Sequence, residues 1–189
     1  MEKSSKFLSF NGLSIVFAGL FAIIGTTFVH FFMHGYLCGK LNMTQIKLVL
    51  LTTALLVLFL SICSVTFFCW RKARSNHETL FSSTTRRAAN SLLLPLLSGG
   101  IFSLMLLYRG DIDTSCAATL IFYGLGLINV SKYTLSEIYY LGITVLTFGL
   151  LALFFTNLSL YLWATGFGIC HIIIGFIMYF KYEKTDRTT

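Results

Sequence analysis

Six stretches of the chain contain no Asp, Glu, Lys or Arg: 10–33, 48–69, 90–108, 115–130, 138–155 and 158–180. Within them the apolar residues neither alternate nor keep to one stripe, and Leu48–Leu60 and Leu92–Leu107 are apolar on every helical face. A helix that is apolar all round belongs in lipid or in a deep core. About 20 such residues cross a hydrocarbon layer about 30 Å thick. Five of the stretches are long enough as they stand. The fourth gains length from Ser131 and Lys132, whose amine can snorkel to the headgroups. A transmembrane barrel would show alternating segments of about 10 residues instead. The pattern predicts an all-α membrane protein, a bundle of six transmembrane helices in one domain spanning 1–189.

The connections predicted between these helices are short: 34–47, 70–89, 109–114, 131–137 and Thr156–Asn157. None is large enough for a soluble domain. Thr134-Leu-Ser-Glu137 has the spacing of a capping box that would open helix five. Asp113 or Thr114 is placed to cap helix four, and Ser83–Thr85 to cap helix three. Pro95 implies either a mild kink or a late start of helix three, and a late start costs less. Lys3 and Lys6 before the first span resemble the start of a signal peptide. The apolar stretch is much longer than the usual ~7–15 residues, however, and has no small-residue cleavage site, so a retained helix is expected.

Composition agrees with this pattern. Of 189 residues, 56% are hydrophobic and 11% charged, and mean hydropathy is +0.81; soluble domains carry about 25% charged residues. The net charge of +7 follows from how the basic residues are sorted. With both termini inside, Lys3, Lys6, Arg71, Lys72, Arg74, Arg86, Arg87, Lys132, Lys181, Lys184 and Arg187 fall on the cytoplasmic side. Only Lys40, Lys47 and Arg109 fall outside. That bias is the positive-inside signature, so the basic balance speaks for topology and lipid contact and not for nucleic-acid binding. The loop 70–89 could also touch anionic lipid or a polyanion.

Two patterns recur along the chain. Gly19-Leu-Phe-Ala-Ile-Ile, Gly100-Ile-Phe-Ser-Leu-Met and Gly149-Leu-Leu-Ala-Leu-Phe align without gaps, as do Gly124-Leu-Gly126-Leu-Ile-Asn129 and Gly166-Phe-Gly168-Ile-Cys-His171. They are compatible with three helical hairpin repeats or with the ordinary mutual likeness of apolar helices. Gly99, Gly100, Gly124, Gly126, Gly166 and Gly168 are expected to mark close helix contacts, which small residues permit in lipid. They do not form a dinucleotide fingerprint, because no βαβ unit surrounds them.

Candidate chemistry is sparse. His30 and His34 are spaced i, i+4 on one helix face, as metal or haem ligands can be. A third ligand would have to come from Asp111, Asp113, Cys38 or Cys116, and interfacial histidines without a metal are the simpler reading. His171 is too deep to join them, about 20 Å from the outer surface against about 5 Å for His30 at the helical rise. His171 and Asn129 are polar groups well inside apolar spans. The repeat alignment makes them equivalent, so they are expected to face a common centre and bond, either joining helices or lining a path. Cys38 and Cys116 are the two cysteines on the outer side, so they form a disulfide there or remain independent thiols.

No ionisable Asp, Glu, Lys or Arg lies within a span, which disfavours proton-coupled transport and ion pumping. No His-Glu-x-x-His or Gly-x-Ser-x-Gly motif is present, so no hydrolase motif supports an enzyme. Arg86–Gly110 and Ala117–Tyr140, including Arg-Arg-Ala-Ala-Asn-Ser-Leu-Leu-Leu-Pro-Leu-Leu-Ser-Gly-Gly, resemble a group of small, uncharacterised bacterial inner-membrane proteins with six helices. The resemblance extends to Gly-Phe-Gly-Ile-Cys-His and implies a bacterial cytoplasmic-membrane location, without implying an activity. The expected role is that of a non-catalytic membrane-embedded partner, sensor or regulatory subunit without a cofactor, in contact with lipid and with a membrane-protein partner or a second copy. The alternative is a small transporter or channel for a neutral or lipophilic solute, running near Asn129 and His171. A haem or divalent-metal protein built on His30 and His34 is the third reading.

Overall fold

The computed structural model describes residues 12–75 and 83–183. Their helices are α1 (Gly12–Leu37), α2 (Met43–Ser75), α3 (Ser83–Arg109), α4 (Ile112–Val130), α5 (Ser136–Phe154), α6 (Ser159–Ala164) and α7 (Cys170–Met178). The last two are joined by a π-helical turn, Thr165–Ile169, and make one continuous sixth span, Thr156–Tyr182. All six spans are long and apolar enough to cross a membrane, and the described residues contain no strand. Lys3, Lys6, Lys184 and Arg187, which contribute to the charge bias, lie outside the described residues, as does whatever precedes Ser83 at the start of α3.

The helix ends follow local chemistry, though not always the chemistry expected. α1 and α3 close through Gly39 and Gly110, whose φ angles of 72° and 91° suit a residue without Cβ. There Lys40 N–H reaches the Gly35 carbonyl and Asp111 N–H the Leu106 carbonyl, both at 3.0 Å, the bonding of Schellman caps. The cap of α4 is Asp111, which accepts from Thr114 N–H at 3.1 Å, and neither Asp113 nor Thr114 has that position. The capping box at α5 does not form. Leu135 occupies the cap position without a side-chain bond, Thr134 turns back to the Val130 carbonyl, and Glu137 is drawn to Lys181 and Tyr182. A full ion pair outweighs a single N–H contact for that carboxylate.

Pro95 does not mark a late start, since α3 runs from Ser83 straight through it. A proline within a helix leaves the carbonyl four residues earlier without its backbone donor. That carbonyl belongs to Ser91, and Asn129 of α4 donates its Nδ2 to it at 3.0 Å. The neighbouring helix thus supplies the missing bond, which lipid could not.

Glycines set how closely the central helices approach. A Cβ on Gly124 would meet Leu146 N at 2.7 Å and the Gly142 carbonyl at 2.9 Å, and one on Gly142 would meet Ile128 N at 2.8 Å. The α4–α5 seam is therefore backbone against backbone. Gly19 lies against the Gly168 carbonyl, Gly12 against that of Gly175, and Gly149 against Ile121. Gly99 is pressed on Phe122, Gly126 on Leu92, and Gly166 on Leu120. Gly100 departs from the expected contact: nothing lies within 4 Å of where its Cβ would be, because its neighbour Gly99 takes the inward face. The residues aligned as repeats accordingly do not share one role.

The helices form an arc. α4, α5 and the sixth span make its centre, with Leu120, Leu127, Ile138, Leu141 and Val145 in the core. α1 packs on the sixth span and carries α2, while α3 packs on α4. α2 and α3 end the two arms and do not pack against each other along their length. Lys47 of α2 reaches across one end, donating to the Tyr108 carbonyl at 2.7 Å. The last carbonyls of a helix favour a cation in that place. The opposite, basic end is tied by Lys181 and Glu137, 2.5 Å apart, with the Tyr182 hydroxyl also donating to that carboxylate at 3.0 Å.

Candidate functional site: a cleft between two helical arms

The gap between the arms is a cavity of about 350 Å³ lined by α1, α2, α3, α4 and the sixth span. Its wall holds no Asp, Glu, Lys or Arg. Aliphatic side chains of α2 and α3 flank it, including Leu51, Leu58, Leu96 and Leu104. The deep wall differs in character, because α4 and the sixth span contribute Ser115, Cys116, Thr119, Tyr123, Trp163, Phe167 and His171, facing Ser103 of α3.

Helical spacing explains that wall. Ser115, Thr119 and Tyr123 are four residues apart on α4, and Trp163, Phe167 and His171 are four apart on the sixth span. Residues at i, i+4 share a face. The rings form a ladder, with centroids 4.7 Å apart for Trp163 and Phe167 and 4.9 Å for Tyr123 and Phe167. Tyr123 stacks on His171 at 5.5 Å.

Most polar groups in the wall bond to one another. His171, 3% exposed, has its Nδ1 2.9 Å from the Gly166 carbonyl. A carbonyl only accepts, so Nδ1 carries the proton and Nε2 accepts from the Tyr123 hydroxyl, 3.0 Å away. Trp163 donates Nε1–H to Thr119 Oγ1 at 3.0 Å, and Thr119 donates onward to the Cys116 carbonyl at 2.7 Å. Ser115 donates to the Ser103 carbonyl at 2.9 Å. The exception among the hydroxyls is that of Ser103, a residue 5% exposed, which has no hydrogen-bond partner among the described residues.

The two intramembrane polar residues picked out from the sequence are not brought together. His171 belongs to the cleft and bonds Tyr123 and Gly166. Asn129 stands one residue from the end of α4, at the basic end, where it bonds the Ser91 carbonyl and receives Lys132 Nζ at 3.5 Å. Their expected pairing is replaced by separate bonds, because Pro95 frees an acceptor beside Asn129.

His30 and His34 are both outside the core. His30 lies against the ring of Tyr161, 5.8 Å between centroids, and His34 Nδ1 is 3.8 Å from Cys38 Sγ. Among the described residues, no three His, Cys, Asp or Glu side chains gather as a metal site. The outer disulfide does not form: Cys38 and Cys116 are free thiols. Cys38 is exposed at the α1–α2 turn, whereas Cys116 lines the cleft. Ser103, Thr119, Tyr123 and Trp163 are site residues that the sequence reading does not single out; the i, i+4 runs of hydroxyls and rings are the signal that could have found them.

Compared with models of known protein families, with curated proteins and with solved structures, the chain matches none.

Proposed function

We propose that the protein is a non-catalytic membrane sensor or regulatory subunit that receives a lipophilic ligand from the bilayer in the cleft between α2 and α3. The observation that carries this reading is a charge-free cavity of about 350 Å³ between arms that do not pack against each other. Ligand sites are mostly apolar concavities of about 300–1,000 Å³ with a few convergent polar groups. A lateral gap suits a solute that is already dissolved in lipid. Ion conduction lacks support, since a charged or carbonyl-lined path is its usual requirement. A carrier for a lipophilic solute is the second reading, favoured by the same gap, with its path at His171 and Tyr123 and not at Asn129.

The orientation we infer puts both termini in the cytoplasm of a bacterial inner membrane. It rests on the basic bias and on the family resemblance. A duplication of hairpins rests on the sequence alignments alone, since Gly19, Gly100 and Gly149 do not share one kind of contact.

Native mass spectrometry of the protein released from lipid nanodiscs tests the ligand reading. A neutral lipid retained by the protein and lost from Ala54→Trp, which puts an indole into the lining of the cleft, supports it. Release of the intact protein with no retained molecule, or retention unchanged by Ala54→Trp, counts against it.

A further inference from the structure

Among the hydroxyls of the deep wall, that of Ser103 is the one the fold leaves unused. It is almost wholly buried and unpartnered among the described residues, and its residue lines the cavity. Serine within a helix ordinarily bonds back to a carbonyl of the preceding turn, as Ser91 does to Ala88 at 2.8 Å. A buried hydroxyl without a partner is costly in an apolar setting, so this departure points to an absent partner. The second uncommitted group is the Tyr123 oxygen. Its proton goes to His171 Nε2, which leaves the oxygen able to accept.

We propose that the cleft selects a neutral lipid bearing a hydroxyl head, which accepts from Ser103 and donates to the Tyr123 oxygen. The inference rests on the ligand reading above and adds its head-group chemistry. Three observations support it. The wall has no cation to hold a phosphate or carboxylate and no carboxylate to hold an amine, and burying an unpaired charge there would be prohibitive. In the deep wall Ser103 offers a donor and the Tyr123 oxygen an acceptor, a pair that an alcohol can engage. The volume also fits: a dry cavity of about 150 Å³ takes up benzene, so about 350 Å³ holds a head and the first part of a chain. The remainder of the chain leaves between α2 and α3.

The chain has two tryptophans, Trp70 and Trp163. In a Trp70→Phe background, fluorescence therefore reports from the cleft wall alone. The protein, in phosphatidylcholine vesicles, is titrated with dibrominated octadecanol, the dibrominated octadecane of equal length, and the dibrominated octadecyl sulfate. The alcohol is expected to quench Trp163 at roughly five- to a hundredfold lower mole fraction than the alkane, the increment of two neutral hydrogen bonds. The sulfate should be weaker than the alcohol. Ser103→Ala should cut the alcohol's advantage by roughly two- to tenfold, the increment of one bond, and leave quenching by the alkane intact, which also shows that the cleft is still formed. The isosteric pair Ser103→Thr, which keeps a hydroxyl, and Ser103→Val, which does not, should retain and lose that increment respectively. Equal quenching by alcohol and alkane, or a preference undiminished in both Ser103→Ala and Ser103→Val, overturns the head-group assignment but leaves a lipid-binding cleft. Absence of Trp163 quenching by all three probes overturns the ligand reading as well.

Discussion

Asn129 and Pro95, on different helices, act on the same carbonyl. Pro95 withholds the backbone donor from Ser91, and Asn129 provides it from α4 at 3.0 Å. The pair converts a defect in α3 into a point of attachment between α3 and α4. Asn129→Leu should therefore destabilise the protein by about 1–3 kcal/mol, the cost of leaving a part-buried acceptor bare between apolar helices. In a Pro95→Ala background the backbone regains an N–H that can serve Ser91, so the same substitution should cost markedly less. A double-mutant cycle of unfolding in micelles measures the difference; additive effects would refute the coupling.

The six glycines singled out from the sequence divide into five in contact and one, Gly100, in open space. Gly124→Val inserts side-chain atoms where Leu146 N and the Gly142 carbonyl already stand, and overpacking of that kind costs about 1–3 kcal/mol or more. Gly100→Ala meets nothing and should be neutral or slightly stabilising, because alanine suits a helix better. Thermal unfolding of the two variants side by side provides the comparison.

Cys38 is exposed and Cys116 lines the cleft. A membrane-impermeant maleimide added without reductant should modify Cys38 in intact cells if the α1–α2 turn faces outward. Cys116 should resist that reagent and yield to a small lipophilic thiol reagent from within the bilayer, more slowly once dibrominated octadecanol is present. Recovery of Cys38 and Cys116 as an oxidised pair would contradict the free thiols of the structure.

Glu137 holds Lys181 and Tyr182 against the start of α5. The lysine is largely exposed, 56%, and solvent screens the pair, so Lys181→Met should change stability little. Glu137→Leu removes the acceptor for both partners. It should raise amide exchange over residues 176–183 while leaving α4 protected, as hydrogen-exchange mass spectrometry can check.

The number and approximate extent of the spans were legible in the sequence, because lipid demands unbroken apolar length and expels every Asp, Glu, Lys and Arg to the helix ends. The cleft was legible only in fragments. His171 stood out as polar within an apolar span, but Ser103, Thr119 and Tyr123 are common residues in membrane helices and carry no mark of their own. Asn129 misled, since apolar helices align easily and its apparent equivalence to His171 ignored what Pro95 does to Ser91 on another helix.

The sequence alone determined the solvent of this protein and its six crossings, since both follow from free energies summed residue by residue along the chain. Tertiary structure decided which glycines touch, which partner each buried polar group takes, and that α2 and α3 stand apart around Ser103. Those outcomes depend on how helices rotate and approach one another. Between apolar helices in lipid no hydrophobic force sets that choice, so close packing and individual hydrogen bonds decide it.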